Sequence, residues 1–487
     1  IYPHVLSSAA SDVYKRQHQI SVGGRDGVVY LGADDSRQAN RLGTESDFFK
    51  ISGQWLVGDH VITAGYESER LEVFNIFVQH SNGGEYDYFD DSVGNPAACA
   101  ALDAQGRFDD SQLDDEDPLK IGCDMSGIDR FELGRPSRIY YGSGGGTNIA
   151  NDAAAEFANT LESLYIQDEI FFDNLDLTLT AGVRIESFKS SDRPRFNRTF
   201  TAANSGLRND SNLDGLDIVM PRLGVRWGVR DDLELYGGIG LYSGGNPNVW
   251  ISNAWSNDGL TNAQFQFRNF GGSASVLEGS DGFVPLSRQG RPGYDVPQSL
   301  VDDVLAVTEE DANDSRLVLL DPNYKQPREW KFALGGTWDM PWYDIELQFD
   351  YLHTKGDYPA QYVDLSQSVI GETTLGTPIY DFVNGEDNYM LTNSDKNPES
   401  DTISFVLKKD FELGDHTLDF LFGYAYTTAE DVSPMTAATA FTNWENVAVL
   451  DINDPAVGDS RWAVPHRFTF VADLSLIHIS EPTRQLM

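Results

Sequence analysis

From Leu175 to Glu186 the chain alternates without a break: Leu175, Leu177, Leu179, Ala181, Val183 and Ile185 are apolar, while Asp176, Thr178, Thr180, Gly182, Arg184 and Glu186 are polar or small. A helix would scatter the apolar side chains around its circumference, whereas an extended strand places all of them on one face. The same period-two pattern returns at Leu223, Val225, Trp227 and Val229 against Arg222, Gly224, Arg226 and Gly228, followed by a turn at Arg230–Asp232. A partner strand then carries Leu233, Leu235, Ile239 and Leu241 against Glu234, Tyr236, Gly238 and Gly240. Tyr343, Ile345, Leu347, Phe349 and Tyr351 against Asp344, Glu346, Gln348 and Asp350 give a further strand, as do Leu418, Phe420, Phe422 and Tyr424 against Thr417, Asp419, Leu421 and Gly423.

These segments run for about ten residues or more, the length of a tilted membrane-crossing strand and longer than the five or six residues usual in soluble sheets. Arg184, Glu186, Arg226, Glu346 and Asp350 all fall opposite the aliphatic face. Turned toward a lumen, they avoid the roughly 2–4 kcal/mol cost of a mid-bilayer Arg or Lys on the lipid side. A soluble sandwich would show the same alternation, so connection lengths decide between the two. Short turns are expected at Gly58–Asp59, Asp173–Asn174, Arg230–Asp232, Pro341–Trp342 and Gly414–Asp415, and long polar stretches at about 80–157, 188–217, 243–327, 357–401 and 429–464. Long loops at every second junction suit an outer-membrane barrel, with tight periplasmic turns at one rim and long extracellular loops at the other. The expected fold is therefore all-β: an antiparallel up-and-down transmembrane β-barrel, incomplete, with roughly 12–14 strands of a larger barrel. A strand over about 20–31 and those within 357–401 are the least defined of the set.

Composition sharpens this picture. No apolar stretch is long enough to cross a bilayer as a helix, and 12% aromatics with 45 glycines suit strands having one apolar and one polar face. Thirty-five basic against 76 acidic side chains give a net charge of −41, which opposes binding to a nucleic-acid backbone.

Candidate chemistry is sparse. Cys99 and Cys123 share one Gly-, Asp- and Asn-rich stretch and are too few for a metal cluster. A loop disulfide between them would add roughly 3 kcal/mol in the chain-entropy model, with two unpaired thiols as the alternative. Asp109, Asp110, Asp114, Asp115, Glu116 and Asp117 offer oxygen ligands for Ca²⁺ but lack the EF-hand register, and a solvated loop is the competing interpretation. The glycine-rich run from Tyr140 to Gly146 lacks a P-loop ending, and Ser243 lacks a nucleophile-elbow setting. No catalytic constellation and no cofactor motif emerges, so the chain is not expected to be an enzyme. Ser299, with Leu300, Val301, Asp302, Val304 and Leu305, reads as a short capped amphipathic helix. Asn246, Asn248, Trp250, Asn253, Trp255 and Asn257 crowd the start of the largest loop. That mixture suits either stacking and hydrogen bonding of a polar ligand, or loop packing and interfacial anchoring.

The ends differ from the rest. Residues 1–17 lack the basic and apolar regions of a signal peptide. DVYKRQ (12–17) and LSLIHISEPTR (474–484) resemble translated sequencing-adapter sequence. The expected division is a non-native leader at 1–17, the barrel portion at 18–474 and a non-native tail at 475–487.

Several strings, in order, resemble the barrel of TonB-dependent outer-membrane receptors, in particular the Oar-like group. They are LYIQDEI (164–170) with LDLTLTAGVRIE (175–186), PRLGVRWGV (221–229) with LYGGIGLYSGGNPNVWISNAWSNDG (235–259), DPNYKQPREWKFALG (321–335) and HRFTF (466–470). The resemblance implies residence in the lipid of a Gram-negative outer membrane and capture of an extracellular ligand by the loops. It also implies energised passage driven by the TonB complex through a plug domain encoded outside this sequence. A passive porin-like channel or a surface-adhesion barrel is the alternative.

Overall fold

The computed structural model describes residues 19–24, 27–32, 34, 36, 38–89, 127–128, 131, 136–244, 248–268, 296–308, 317–383, 387–413, 416–433 and 435–476. Eleven long strands form one antiparallel sheet. They are β1 (Ala39–Val57), β2 (His60–Val78), β3 (Ala155–Phe172), β4 (Leu177–Lys189), β5 (Asp217–Arg230), β6 (Leu233–Ser243), β7 (Arg328–Met340), β8 (Ile345–Asp357), β9 (Glu399–Leu413), β10 (His416–Asp431) and β11 (His466–Leu476). Each pairs with its sequence neighbours, so the order is up-and-down throughout. The two-residue strand Gly458–Asp459 adds a twelfth member against the end of β10. Among the described residues β1 and β11 do not pair with each other, and the sheet is open.

The register aligns the apolar faces of successive strands. One row of direct partners runs Leu177, Trp227, Leu235, Gly336, Phe349, Phe405, Tyr424 and Phe468. The next runs Ile170, Leu179, Val225, Gly237, Leu334, Tyr351, Ile403 and Tyr426. Side chains on this face have no protein above them: Leu164 is 59% exposed and Phe468 69%. An apolar surface this continuous is covered by lipid, because in water it would be a severe aggregation liability. Trp55, Trp227, Trp338 and Trp342 lie toward the tight-turn rim, where Trp338 and Trp342 meet edge to face at 5.7 Å, the position of an interfacial aromatic girdle.

The tight turns explain two departures from the expected pattern. Leu175 lies in a 3₁₀ turn (Asp173–Leu175) and Asp176 has φ +48°, so β4 begins only at Leu177. Likewise Tyr343 and Asp344 have φ +73° and +47°, and β8 begins at Ile345. Alternation in the sequence continues through residues that the backbone uses for reversal. The segment at about 20–31 is also not a single strand. It is a hairpin of Gln19–Gly24 and Gly27–Gly32 that lies outside the long sheet.

The long connections at 79–154, 190–216, 244–327, 358–398 and 432–465 build structure of their own. A five-stranded sheet orders Asn262–Arg268, Arg138–Gly144, Glu85–Phe89, Gln19–Gly24 and Gly27–Gly32. A three-stranded sheet joins Leu317–Leu320, Asn388–Asn393 and Ala360–Asp364, and Gln367–Glu372 pairs with Pro378–Phe382 in a separate hairpin. Short helices accompany them, among the described residues α1 (Arg198–Ala203), α2 (Asn248–Ser256), α3 (Gln298–Ala306) and α4 (Ala440–Glu445). The helix expected after Ser299 is α3, but its N-cap is Pro297, with no side-chain capping bond. Leu300 and Val304 seal α3 against Tyr86, Ile139 and Tyr141 of the five-stranded sheet.

Candidate functional site

The polar face of the long sheet carries the chemistry. Lys50 pairs across the ladder with Glu67, and its Nζ lies 2.6 Å from that carboxylate. Arg184 reaches Glu67 and Glu186, both at 2.7 Å, and donates to Ser163 Oγ at 2.8 Å. Tyr165 lies between the two cations, 5.6 Å from Lys50 Nζ and 5.7 Å from the Arg184 guanidinium carbon. Lys50, Glu67, Tyr165 and Arg184, with Arg222, border a cavity of about 380 Å³. Farther along the same face, the Tyr236 hydroxyl donates to Asp350 Oδ1 at 2.6 Å and Gln348 bridges to both. Alternation forces this segregation: the residues that precede and follow Arg184, namely Val183 and Ile185, join the lipid-facing rows.

At the end of this wall farthest from the tight turns, a cavity of about 560 Å³ opens where β6, β7 and β8 meet the loops. Tyr242, Trp250, Pro327, Met435 and the paired Arg328 and Asp357 line it, with Arg328 2.7 Å from its carboxylate partner. Lys331 and Glu329 add a second, looser ion pair at 3.4 Å. The volume and the mixture of aromatic, proline and charged walls fit a small organic ligand.

Of the described residues singled out in the largest loop, Trp250 lines this cavity and the others lie on α2 or at its exit. Asn253 is buried in α2; its amide donates to the carbonyls of Val249 and Ala438, and its oxygen accepts from the Ala440 N–H. Trp250 donates through Nε1 to Ala437 O, and Trp255 stacks on Phe157 with ring centres 4.5 Å apart. Asn257 donates to Asn253 O, while the buried Asn248 Oδ1 finds no partner. The structure thus brings five of the six together on one helix and its exit, with most of their polar capacity used internally. Asn246, Cys99, Cys123, Asp109, Asp110, Asp114, Asp115, Glu116 and Asp117 lie outside the described residues. Among the described residues no group of three or more His, Cys, Asp or Glu side chains is placed to hold a metal ion.

The loops pack down onto the polar face. Ile251, Ala254 and Trp255 of α2 share one core with Val73, Phe157 and Phe188 at the loop-side ends of β2, β3 and β4, and with Tyr324, Tyr362 and Tyr389 from the later loops. Burial pushes the Tyr324 and Tyr362 phenols above the ordinary tyrosine range. In the five-stranded sheet, Asp87 is fully buried and held by Arg138 at 2.6 Å. Desolvation, then Glu85, pushes its carboxyl up to about 6 against the pull of Arg138. His80 Nε2 meets Glu85 at 3.0 Å and its ring stacks on Tyr140. Sequence reading missed this cluster because its members come from separate segments with no local motif.

An apolar belt facing outward, a charged wall facing inward and loops confined to one rim define a membrane barrel wall. The model of the outer membrane beta barrel domain matches residues 6–476. The chain belongs to this outer-membrane β-barrel family. Its location is accordingly the outer membrane of a Gram-negative bacterium. Solved barrels similar to it include the outer membrane transporter YddB from Escherichia coli, at 11% identity and TM-score 0.47, covering 94% of this chain and 44% of that one. The FrpB iron transporter from Neisseria meningitidis (F5-1 variant) matches at 11% identity and TM-score 0.36, covering 83% and 41%. The Serratia marcescens hemophore receptor HasR, in complex with its hemophore HasA and heme, matches at 12% identity and TM-score 0.36, covering 80% and 43%. The chain therefore spans less than half the length of each of these. No curated protein matches it.

Proposed function

We propose that this barrel is the wall of a TonB-dependent receptor of the Oar-like kind, carrying a loop-captured ligand across the outer membrane with energy from the TonB complex. On this reading a plug domain encoded outside 18–474 fills the lumen, and residues 1–17 and 475–487 are not native sequence. The supporting observation is the wall itself: eleven long strands lie side by side, and the outer edges of β1 and β11 are unpaired among the described residues. The largest barrels, of about 22 strands, enclose a lumen wide enough to hold a plug, whereas those of about 16–18 strands leave an open aqueous channel. Ion pairs such as Arg184–Glu67 line that lumen with groups able to bind a folded polar domain.

The test is recovery of the complete gene, followed by conductance of its product in planar bilayers. A plug-coding region upstream and a closed barrel that opens when the plug is deleted are expected. An upstream region without a plug, or free conductance of the intact protein, would instead make it a passive channel or adhesion barrel.

A further inference from the structure

The hairpin Gln367–Glu372 and Pro378–Phe382, in the loop between β8 and β9, is an unusual element for a loop facing water. It forms a sheet of two strands and no more among the described residues. Isolated two-stranded hairpins are marginal in water and normally bury their apolar side chains against something else. Here Val369, Ile370, Ile379, Phe382 and Val383 are all exposed, and Leu375 at the turn is 92% exposed.

The backbone adds a second feature. Val383 N–H bonds to Ser366 O, so Ser366 and Val383 form a hydrogen-bonded pair. Alternation of an antiparallel ladder then places Gln367 and Val369 at non-hydrogen-bonded positions, with their N–H and C=O groups directed outward. The hairpin's orientation is fixed by Tyr380, whose hydroxyl donates to Asp451 at 2.6 Å. An anchored strand with an open edge and exposed apolar side chains is a template for addition of another strand. Charge selects what that strand can be: the loop 358–398 contains Asp364, Glu372, Asp381, Glu386, Asp387 and Asp395 against one cation, Lys396, which is already paired with Asp395 and Asp454.

We propose that the Gln367–Glu372 edge is an extracellular docking strand for an extended polypeptide segment in which basic and apolar residues alternate. The added strand would bond to the outward groups of Gln367 and Val369, cover Val369 and Ile370, and face the acidic loop with its cations. This goes beyond the transport reading and does not depend on it, since capture at the surface needs no energy from the inner membrane.

The probe is a short fluorescent peptide of alternating lysine and valine, measured by anisotropy on the complete barrel in detergent or in outer-membrane vesicles. A lysine–glycine peptide of equal charge serves as the control. The lysine–valine peptide is expected to bind at least about tenfold tighter than the control. Val369→Pro, which removes an outward donor, and Ile370→Asp with Leu375→Asp, which removes apolar cover, should each abolish that difference. Equal binding of the two peptides would overturn the proposal, since charge alone would then explain capture. So would unchanged binding in both variants, or variants that alter only self-association or lipopolysaccharide binding.

Discussion

Tyr236 lies across Gly335, its direct cross-strand partner, so closely that a Cβ on that glycine would meet the ring at 2.6 Å. Tyr165 stands in the same relation to Gly65, where a Cβ would come within 2.6 Å of the ring carbon bearing the hydroxyl. In both places a bare backbone lets a long aromatic side chain fold along the wall and present its hydroxyl to charged neighbours. Gly335→Ala should displace the ring, break the Tyr236–Asp350 bond and cost about 2 kcal/mol. Gly371→Ala, at a glycine with nothing within 4 Å, should be close to neutral. Urea unfolding of the two variants in detergent compares them directly.

Arg184 serves two carboxylates and a hydroxyl on a half-buried wall. Replacing it with Met leaves Glu67 with Lys50 alone and takes from Glu186 its ion pair, and should destabilise by about 2 kcal/mol, less than a fully buried pair because solvent reaches the lumen. Combined with Glu67→Gln, the loss should be smaller than the sum of the single losses. A double-mutant cycle that gave strict additivity would mean the two side chains are not coupled.

Asn253→Ala removes three hydrogen bonds, two of which tie α2 to the segment at Ala438 and Ala440 and one of which reaches Val249 within the helix. The expected cost is about 2 kcal/mol, read as faster protease cleavage in the long loops with the strands still protected. Cleavage at the wild-type rate would show that α2 is held by its apolar face alone.

The pH response of the five-stranded loop sheet follows from Asp87. Its carboxyl is raised to about 6 in the folded form, chiefly by burial, from an ordinary value of 3.8. The folded sheet therefore holds the proton more tightly than the unfolded chain, so this contribution to stability is fully present below about pH 4 and is lost as pH rises through 6. Hydrogen exchange in peptides spanning Glu85–Phe89 and Arg138–Gly144, corrected for intrinsic rates, should show weakening protection across that window. Asp87→Asn should flatten the profile.

The long strands were legible because period-two alternation is local and membrane strands are long enough to repeat it many times. Leu179 opposite Thr180 needs no partner to be interpreted. The turns at Leu175 and Tyr343 were misread for the same reason, since alternation cannot see the positive φ that ends a strand. The loop sheets were illegible because their partners are remote: Arg138–Gly144 pairs with Asn262–Arg268, and Leu317–Leu320 runs parallel to Asn388–Asn393. Short strands assembled from different loops carry no local signal of whom they will meet. At the candidate site, Trp250 is the one member of the crowded Trp and Asn residues at 248–257 that lines the loop-side cavity among the described residues. Hydrogen-bond partners such as Ala438, far along the chain, decide how those side chains are used.

Adjacent residues on β5 give the most direct test of a wall with lipid on one side. Val225 belongs to the outward apolar row, and Gly224 to the opposite face. In the complete protein with Cys99 and Cys123 replaced by serine, Val225→Cys and Gly224→Cys are labelled singly with an environment-sensitive fluorophore and reconstituted into bilayers. Brominated lipid should quench the label at 225 strongly and leave the label at 224 nearly unaffected. Equal quenching at both positions, or quenching at 224 alone, would contradict a barrel wall with lipid against its apolar face.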